Sequence, residues 1–174
     1  MSTELLIVRC QLGEPDALTD LVREWHPTVH GFVRRMVGPG AADDVAQEVW
    51  IAIFRGLPRL QDADRFAPWL FTIARRTVAN RLRAEYARPE VELDLDRTDD
   101  DDAAERMTDR MAVEAGLGAL PAREREVLVL AYLHDLPLAT CAEICGVPVG
   151  TIKSRLSRAR RLLREELIRR EYPS

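Results

Sequence analysis

Apolar residues recur at helical spacing along most of this chain, and no stretch alternates convincingly as strand. Pro15 and Asp16 suit a helix start, and Leu18, Leu21, Val22 and Trp25 share one face of the segment that follows. Val29, Phe32, Val33 and Met36 continue that stripe past Pro27, so a helix is predicted over 15–37, interrupted or restarted at the proline. Gly38-Pro39-Gly40 is a breaker. A second helix is predicted from about Ala42 to Arg55, with Val45, Val49, Ala52 and Ile53 inward. After a loop through Gly56, Pro58 and Gln61-Asp62-Ala63-Asp64, a third runs from near Pro68 to about Tyr86. Arg88 to Asp102 has no periodic apolar face and reads as a flexible linker. Four further helices are expected at about 103–118, 122–134, 138–145 and 148–170, with Pro121, Pro137 and Pro148 at plausible starts. The pattern predicts an all-α fold of two small helical domains, 1–87 and 105–174, joined by an acidic linker over 88–104.

Composition sharpens this picture without changing it. Hydrophobic content of 47% supplies helical cores, and aromatic content of 6% points to aliphatic packing. The net charge of −4 argues against a uniformly basic nucleic-acid coat, but it averages over a strong polarity. Residues 151–170 carry eight basic side chains against Glu165 and Glu166, whereas residues 90–109 have a local balance of −8. Three cysteines do not make a disulfide framework. Leu5-Leu6-Ile7-Val8 is too short for a signal-peptide core, and no segment approaches the ~20 apolar residues of a membrane span. A soluble, cytoplasmic protein is expected.

The last two predicted helices carry the most informative chemistry. Cys141 to Cys145 forms a short helix, Gly146 falls where a left-handed cap belongs, and Pro148 suits the first turn of the next helix. That is a helix-turn-helix. Ile152, Leu156, Ala159 and Leu163 share an inward face. Lys153, Ser154, Ser157, Arg158 and Arg161 lie opposite, with Thr151 and Arg155 beside them, as donors for phosphates and guanine edges. Arg164, Arg169 and Arg170 read instead as a solvated basic helix end. Cys141 and Cys145, one turn apart with His134 upstream, read as small buried hydrophobes, because a zinc site lacks a fourth ligand.

Two other patterns need a partner. Asp43 with Gln47, and Asp44 with Glu48, are i,i+4 pairs that make an acidic ridge on the second helix, though acids near a helix start also suit the dipole. On the third helix Trp69, Arg76, Asn80 and Arg83 form one stripe fit for single-stranded DNA. There the arginines neutralise phosphates and Asn80 reads a base edge, while Trp69 reads either as a packing residue or as support for an unstacked base.

These pieces together resemble a bacterial sigma factor of the extracytoplasmic-function group in the sigma-70 family. Asp43-Asp44-Val45-Ala46-Gln47-Glu48-Val49-Trp50 is similar to the segment that binds core polymerase. Phe66-Ala67-Pro68-Trp69-Leu70-Phe71-Thr72-Ile73-Ala74-Arg75-Arg76 resembles the segment that meets the downstream (−10) promoter element. Leu120 to Val127 and Gly150 to Arg155 resemble the domain that reads the upstream (−35) element. The resemblance implies that Asp43, Asp44, Gln47, Glu48 and Ile51 dock on the β′ clamp of core RNA polymerase. It implies that Asp64, Arg65 and Phe66 join Trp69, Arg76, Asn80 and Arg83 at downstream DNA, the loop 61–66 capturing a flipped base. It adds contact with the β flap, an inhibitory anti-sigma factor, and a linker that threads toward the RNA exit channel. No built-in C-terminal regulatory domain is expected.

No Walker loop, metal cluster or nucleophile constellation is present, so neither an enzyme nor a cofactor is expected. A stand-alone helix-turn-helix regulator needs neither the Asp43–Trp50 ridge nor the Trp69–Arg83 stripe. A protein that only sequesters a partner through its acidic segment leaves the basic recognition face unexplained.

Overall fold

The computed structural model describes residues 2–86 and 109–171, so the predicted linker at 88–104 lies outside the described residues. The first element, α1 (Thr3–Gln11), is not announced by the periodicity. Ser2 caps it by accepting from the Leu5 N–H, and Leu6, Ile7 and Cys10 bury against the next helix. The Gln11 side-chain amide donates to the Leu57 and Leu60 carbonyls at 3.0 and 2.7 Å, which ties the start of the chain to the loop after the third helix.

Helix α2 (Pro15–Val37) runs without a break through Pro27, whose ring is exposed, so the expected interruption does not occur. Gly38, at φ 82°, makes the whole reversal, and Pro39 at once opens α3 (Pro39–Gly56), earlier than periodicity suggests. Short 3-10 turns at Leu57–Arg59 and Ala63–Arg65 lead into α4 (Phe66–Tyr86). The first half is therefore a bundle whose core is Leu21, Val29, Phe32, Val33, Val49, Ile53, Leu70 and Phe71.

The second half comprises α5 (Asp109–Ala119), α6 (Ala122–Leu128) with a π-helical turn at Val129–Leu133, α7 (Leu138–Cys145) and α8 (Val149–Glu171). Gly146 caps α7 in the left-handed region at φ 65°, and the Val147 N–H donates back to the Ala142 carbonyl at 3.1 Å. Ile152, Leu156 and Ala159 bury the predicted face of α8.

The two halves are packed together rather than held apart on a tether, and one apolar core is continuous through both. The His134 ring lies 4.7 Å from Phe71 and 6.2 Å from Phe32, ring centre to ring centre. Around that contact, Arg35 donates to Glu114 at 2.6 Å, Arg65 to Glu143, and Arg75 sits 2.9 Å from Glu126, each pair crossing between halves. Arg125 donates to the Arg35 and Met36 carbonyls on one side and to those of Gly118 and Leu120 on the other.

Candidate polymerase and promoter interfaces

The acidic ridge on α3 is assembled as its spacing predicts. Asp43, Asp44, Gln47, Glu48 and Ile51 are all exposed along one side of the helix, while Val45, Val49 and Ile53 anchor the other. Each flank has a cation or its precursor: His30 Nε2 lies 2.9 Å from Asp43, and Arg81 approaches Glu48 at 4.0 Å. His26, next to His30, accepts from the Trp50 indole N–H at 3.3 Å and so is held in one tautomer. Phe54 is exposed and extends the apolar end of the ridge beyond Ile51, a residue that sequence reading passed over although it lies one turn further on. Such a surface presents hydrogen-bond acceptors along its length and a hydrophobic contact at one end.

The downstream-promoter residues divide. Arg76, Asn80 and Arg83 are exposed on α4, and Asn80 Oδ1 accepts from Arg83 at 2.6 Å, which leaves its NH2 group for an outside acceptor. Trp69 is half-buried against the C-terminal end of α3, where a Cβ added to Gly56 would stand 2.7 Å from the indole Cζ2. Phe66 is 1% exposed, set edge-on to Trp25 at 5.1 Å; it is a core residue in this conformation and does not offer a face to DNA. Asp64 is exposed on its 3-10 turn, and Arg65 is engaged by Glu143 of α7. Between α3 and α4 a cleft of about 480 Å³ opens beside Trp69, Arg76 and Asn80, and Arg55 and Arg59 also line it.

On α8, Lys153, Ser154, Ser157, Arg158 and Arg161 are exposed, with Thr151 and Arg155 half-buried at their edge. Arg158 lies 3.6 Å from Glu124, and Arg161 donates to Glu165 at 2.8 Å. Lys153 and Arg155 have no carboxylate within ion-pair distance among the described residues. The N-terminal part of the helix therefore has the freer cations, where a recognition helix meets base edges.

The groups between the halves are tuned by burial. His134 is pushed down to about 4, first by burial and then by Arg35, with Asp135 opposing; its Nε2 has no hydrogen-bond partner. Cys145 is pushed up to about 12 by burial and then by the Glu126 carboxylate, to which its thiol donates at 3.6 Å. Cys141 is raised for the first of those reasons, and all three cysteines are free and buried. Among the described residues no group of His, Cys, Asp and Glu has the arrangement of a metal site.

Residues 21–88 match the model of sigma-70 region 2, and residues 110–163 match that of sigma-70 region 4. The ECF RNA polymerase sigma factor SigC of Mycobacterium tuberculosis is 34% identical over 156 residues, which span 85% of this chain and 82% of that protein. This chain belongs to the extracytoplasmic-function group of sigma-70 sigma factors. A more distant member, SigW of Bacillus subtilis, is 28% identical over 178 residues, spanning 92% and 94% of the two chains. The fold is shared with the sigma factor RpoE of Bartonella quintana, solved with the anti-sigma factor NepR, at a TM-score of 0.70 and 22% identity over 87% of this chain and 97% of that one. The sigma factor described here is thus an alternative transcription-initiation factor, of a class that binds DNA rather than one defined by enzymatic turnover. Region 2 spans most of α2 through α4, and region 4 spans α5 to the middle of α8. No helix among the described residues is long and apolar enough to cross a membrane.

Proposed function

We propose that this sigma factor docks on core RNA polymerase through the α3 ridge, reads the upstream promoter element with α8, and holds the opened downstream element on α4. It acts in the cytoplasm, without a cofactor, as a non-enzymatic subunit. The observation that carries the reading is that three chemically distinct surfaces are exposed together. They are an acidic ridge (Asp43, Asp44, Gln47, Glu48, Ile51), a basic face (Arg76, Asn80, Arg83) beside the half-buried Trp69, and a basic recognition helix (Lys153, Ser154, Ser157, Arg158, Arg161) with Arg155 half-buried at its edge. A stand-alone regulator has use for only the last.

The packing of the halves bears on how promoter DNA is engaged. Elements near −35 and −10 lie ~25 base pairs, or ~85 Å, apart along B-DNA. A compact chain of 174 residues has a diameter of only about 40 Å. Reaching both elements therefore requires the halves to separate on the polymerase. An anti-sigma factor, the kind of partner seen on the Bartonella relative, is the expected antagonist of that opening.

Transcription in vitro with purified core polymerase, this protein and fragmented genomic DNA tests the proposal. The expected result is a set of discrete start sites that vanish with Asp44→Ala/Gln47→Ala. DNA binding without polymerase-dependent initiation, with demonstrably active core enzyme, would make the protein a stand-alone regulator.

A further inference from the structure

We infer that the pocket between the two halves, walled by the turn from α2 to α3 on one side and by α5 on the other, binds a purine nucleoside di- or triphosphate, and that the bound nucleotide holds the halves together. The pocket has a volume of about 720 Å³, within the usual range for small-molecule sites. Neither half forms it alone. Arg34, Gly38 and Leu82 come from the N-terminal half, and Glu114, Leu117 and Gly118 from the C-terminal half. That a bound nucleotide opposes initiation rests on the reading above that the halves part on the polymerase; that it binds does not.

The pocket is strongly positive. Arg34, Arg35, Arg125 and Arg170 line it against a single carboxylate, Glu114. Arg35 is engaged by Glu114 at 2.6 Å, Arg125 by backbone carbonyls, and Arg170 by Glu166 at 2.9 Å. Arg34 is exposed and has no carboxylate within ion-pair distance among the described residues. The backbone adds charge of the same sign. Helix α3 begins in this wall, with Gly38 at its N-cap, and its first turn has neither an acidic residue nor a side-chain cap. The positive end of an 18-residue helix is thus left uncompensated beside an unpaired guanidinium, and the two together suit a phosphate. Nothing stands within 4 Å of where a Cβ on Gly38 would lie, so an anion can approach that turn closely.

The remaining wall selects the kind of anion. Met36, Val37, Leu82 and Leu117 make it apolar, a surface that inorganic phosphate or a small dicarboxylate would leave unused. Glu114 spends Oε1 on Arg35, and an ionised carboxylate has lone pairs enough to accept again. In a pocket otherwise lined by cations, that acceptor suits the amino edge of a purine, while the phosphates lie toward Arg34 and the start of α3. A nucleotide therefore uses every part of the wall. Because the site is whole only when the halves are packed, the nucleotide binds the closed chain more tightly than an opened one. By linkage it shifts the chain toward the closed form and away from the form that holds promoter DNA on the polymerase.

The test titrates ATP, GTP and inorganic tripolyphosphate into the full chain by calorimetry. ATP or GTP is expected to bind one to one, and tripolyphosphate markedly more weakly. Arg34→Ala should weaken nucleotide binding roughly tenfold, the scale of one charge-assisted contact to phosphate. Gly118→Leu should abolish it. A Cβ on Gly118 meets nothing within 4 Å, so the leucine enters the pocket without a clash, and thermal melting of the variant checks that its fold is kept. If Gly118→Leu melts early, the exposed Arg34→Ala decides alone. No saturable binding by wild type, tripolyphosphate bound as tightly as nucleotide, or undiminished binding by both variants would each overturn the inference and leave the separation of the halves standing. A second arm measures the affinity of the labelled chain for core polymerase as ATP is raised. The expected result is a progressive loss with wild type and none with Gly118→Leu. Nucleotide that binds the free chain yet leaves core affinity untouched would keep the pocket and overturn both its control of initiation and the separation reading behind it.

Discussion

Two sets of arginines in this molecule do opposite work. Arg35, Arg65 and Arg75 face the C-terminal half, and each is paired with a glutamate there. Arg55, Arg59 and Arg76 surround a cleft on the N-terminal half and face no acid among the described residues. The residue type is the same, and the immediate sequence is almost the same, since Arg75 and Arg76 are neighbours on one helix. The difference is the direction in which the helix turns each one: Arg75 toward α6, Arg76 toward solvent beside Trp69. Partnering, not basicity, separates the structural cations from those available to a polyanion.

The comparison can be broken by attacking each side of it. The largest expected effect comes from the apolar part of the contact between halves. Phe71, at 2% exposure, packs edge-on with Phe32 at 5.6 Å and lies beneath His134. Phe71→Ala should lower stability by about 3–5 kcal/mol in denaturant unfolding. Glu126→Ala comes next. It strands Arg75, whose Nε lies 2.9 Å from the carboxylate in an ion pair not aligned as a hydrogen bond, and it removes the acceptor of Cys145. Because Arg75 keeps 34% exposure, the expected loss is about 2 kcal/mol, below that of a fully buried pair. In a double-mutant cycle with Arg75→Ala, most of that cost should prove shared.

A pH series probes the same contact more gently. His134 has its folded value depressed from 6.5 to about 4, so the unfolded chain binds the proton more readily. Its contribution is fully present above pH 6.5 and is lost as pH falls through about 4, worth about 2 kcal/mol after allowance for its partial exposure. His134→Leu should flatten the stability difference between pH 7 and pH 4.5 by most of that amount, measured against wild type. The smallest effect belongs to the other side of the comparison: Arg55→Ala/Arg59→Ala should change unfolding free energy by no more than about 0.5 kcal/mol.

Much of this was readable along the chain because it is local. The helices of both halves, the αL cap at Gly146 and the inward face of α8 follow from spacing within a few turns. The acidic ridge was readable too, since i,i+4 neighbours on a helix share a side whatever surrounds them. Helix α1 was not, because its apolar residues are consecutive rather than periodic: Leu6, Ile7 and Cys10 are buried while Leu5 and Val8 are exposed, so no stripe distinguishes it. Phe66 carries the family's pattern at the start of α4, yet Trp25 draws it into the core from 41 residues away. Contacts of that range leave no periodic trace. Arg55 and Arg59 carry no signal of their own in the sequence pattern. Only the fold, by bringing Trp69 against Gly56, shows that they border a cleft. The pairing of halves was equally invisible, because Glu126 and His134 find their partners on another domain.

The most direct test places both arginine groups in one experiment. Arg55→Ala/Arg59→Ala and Arg35→Ala/Arg75→Ala would be compared with wild type for thermal unfolding and for promoter-directed initiation by reconstituted holoenzyme. The account predicts a crossed result: the cleft variant keeps its melting temperature and loses initiation, whereas the inter-half variant melts lower and still initiates at temperatures where it is folded. A cleft variant that initiates normally, or an inter-half variant that loses initiation with its melting temperature intact, would contradict it.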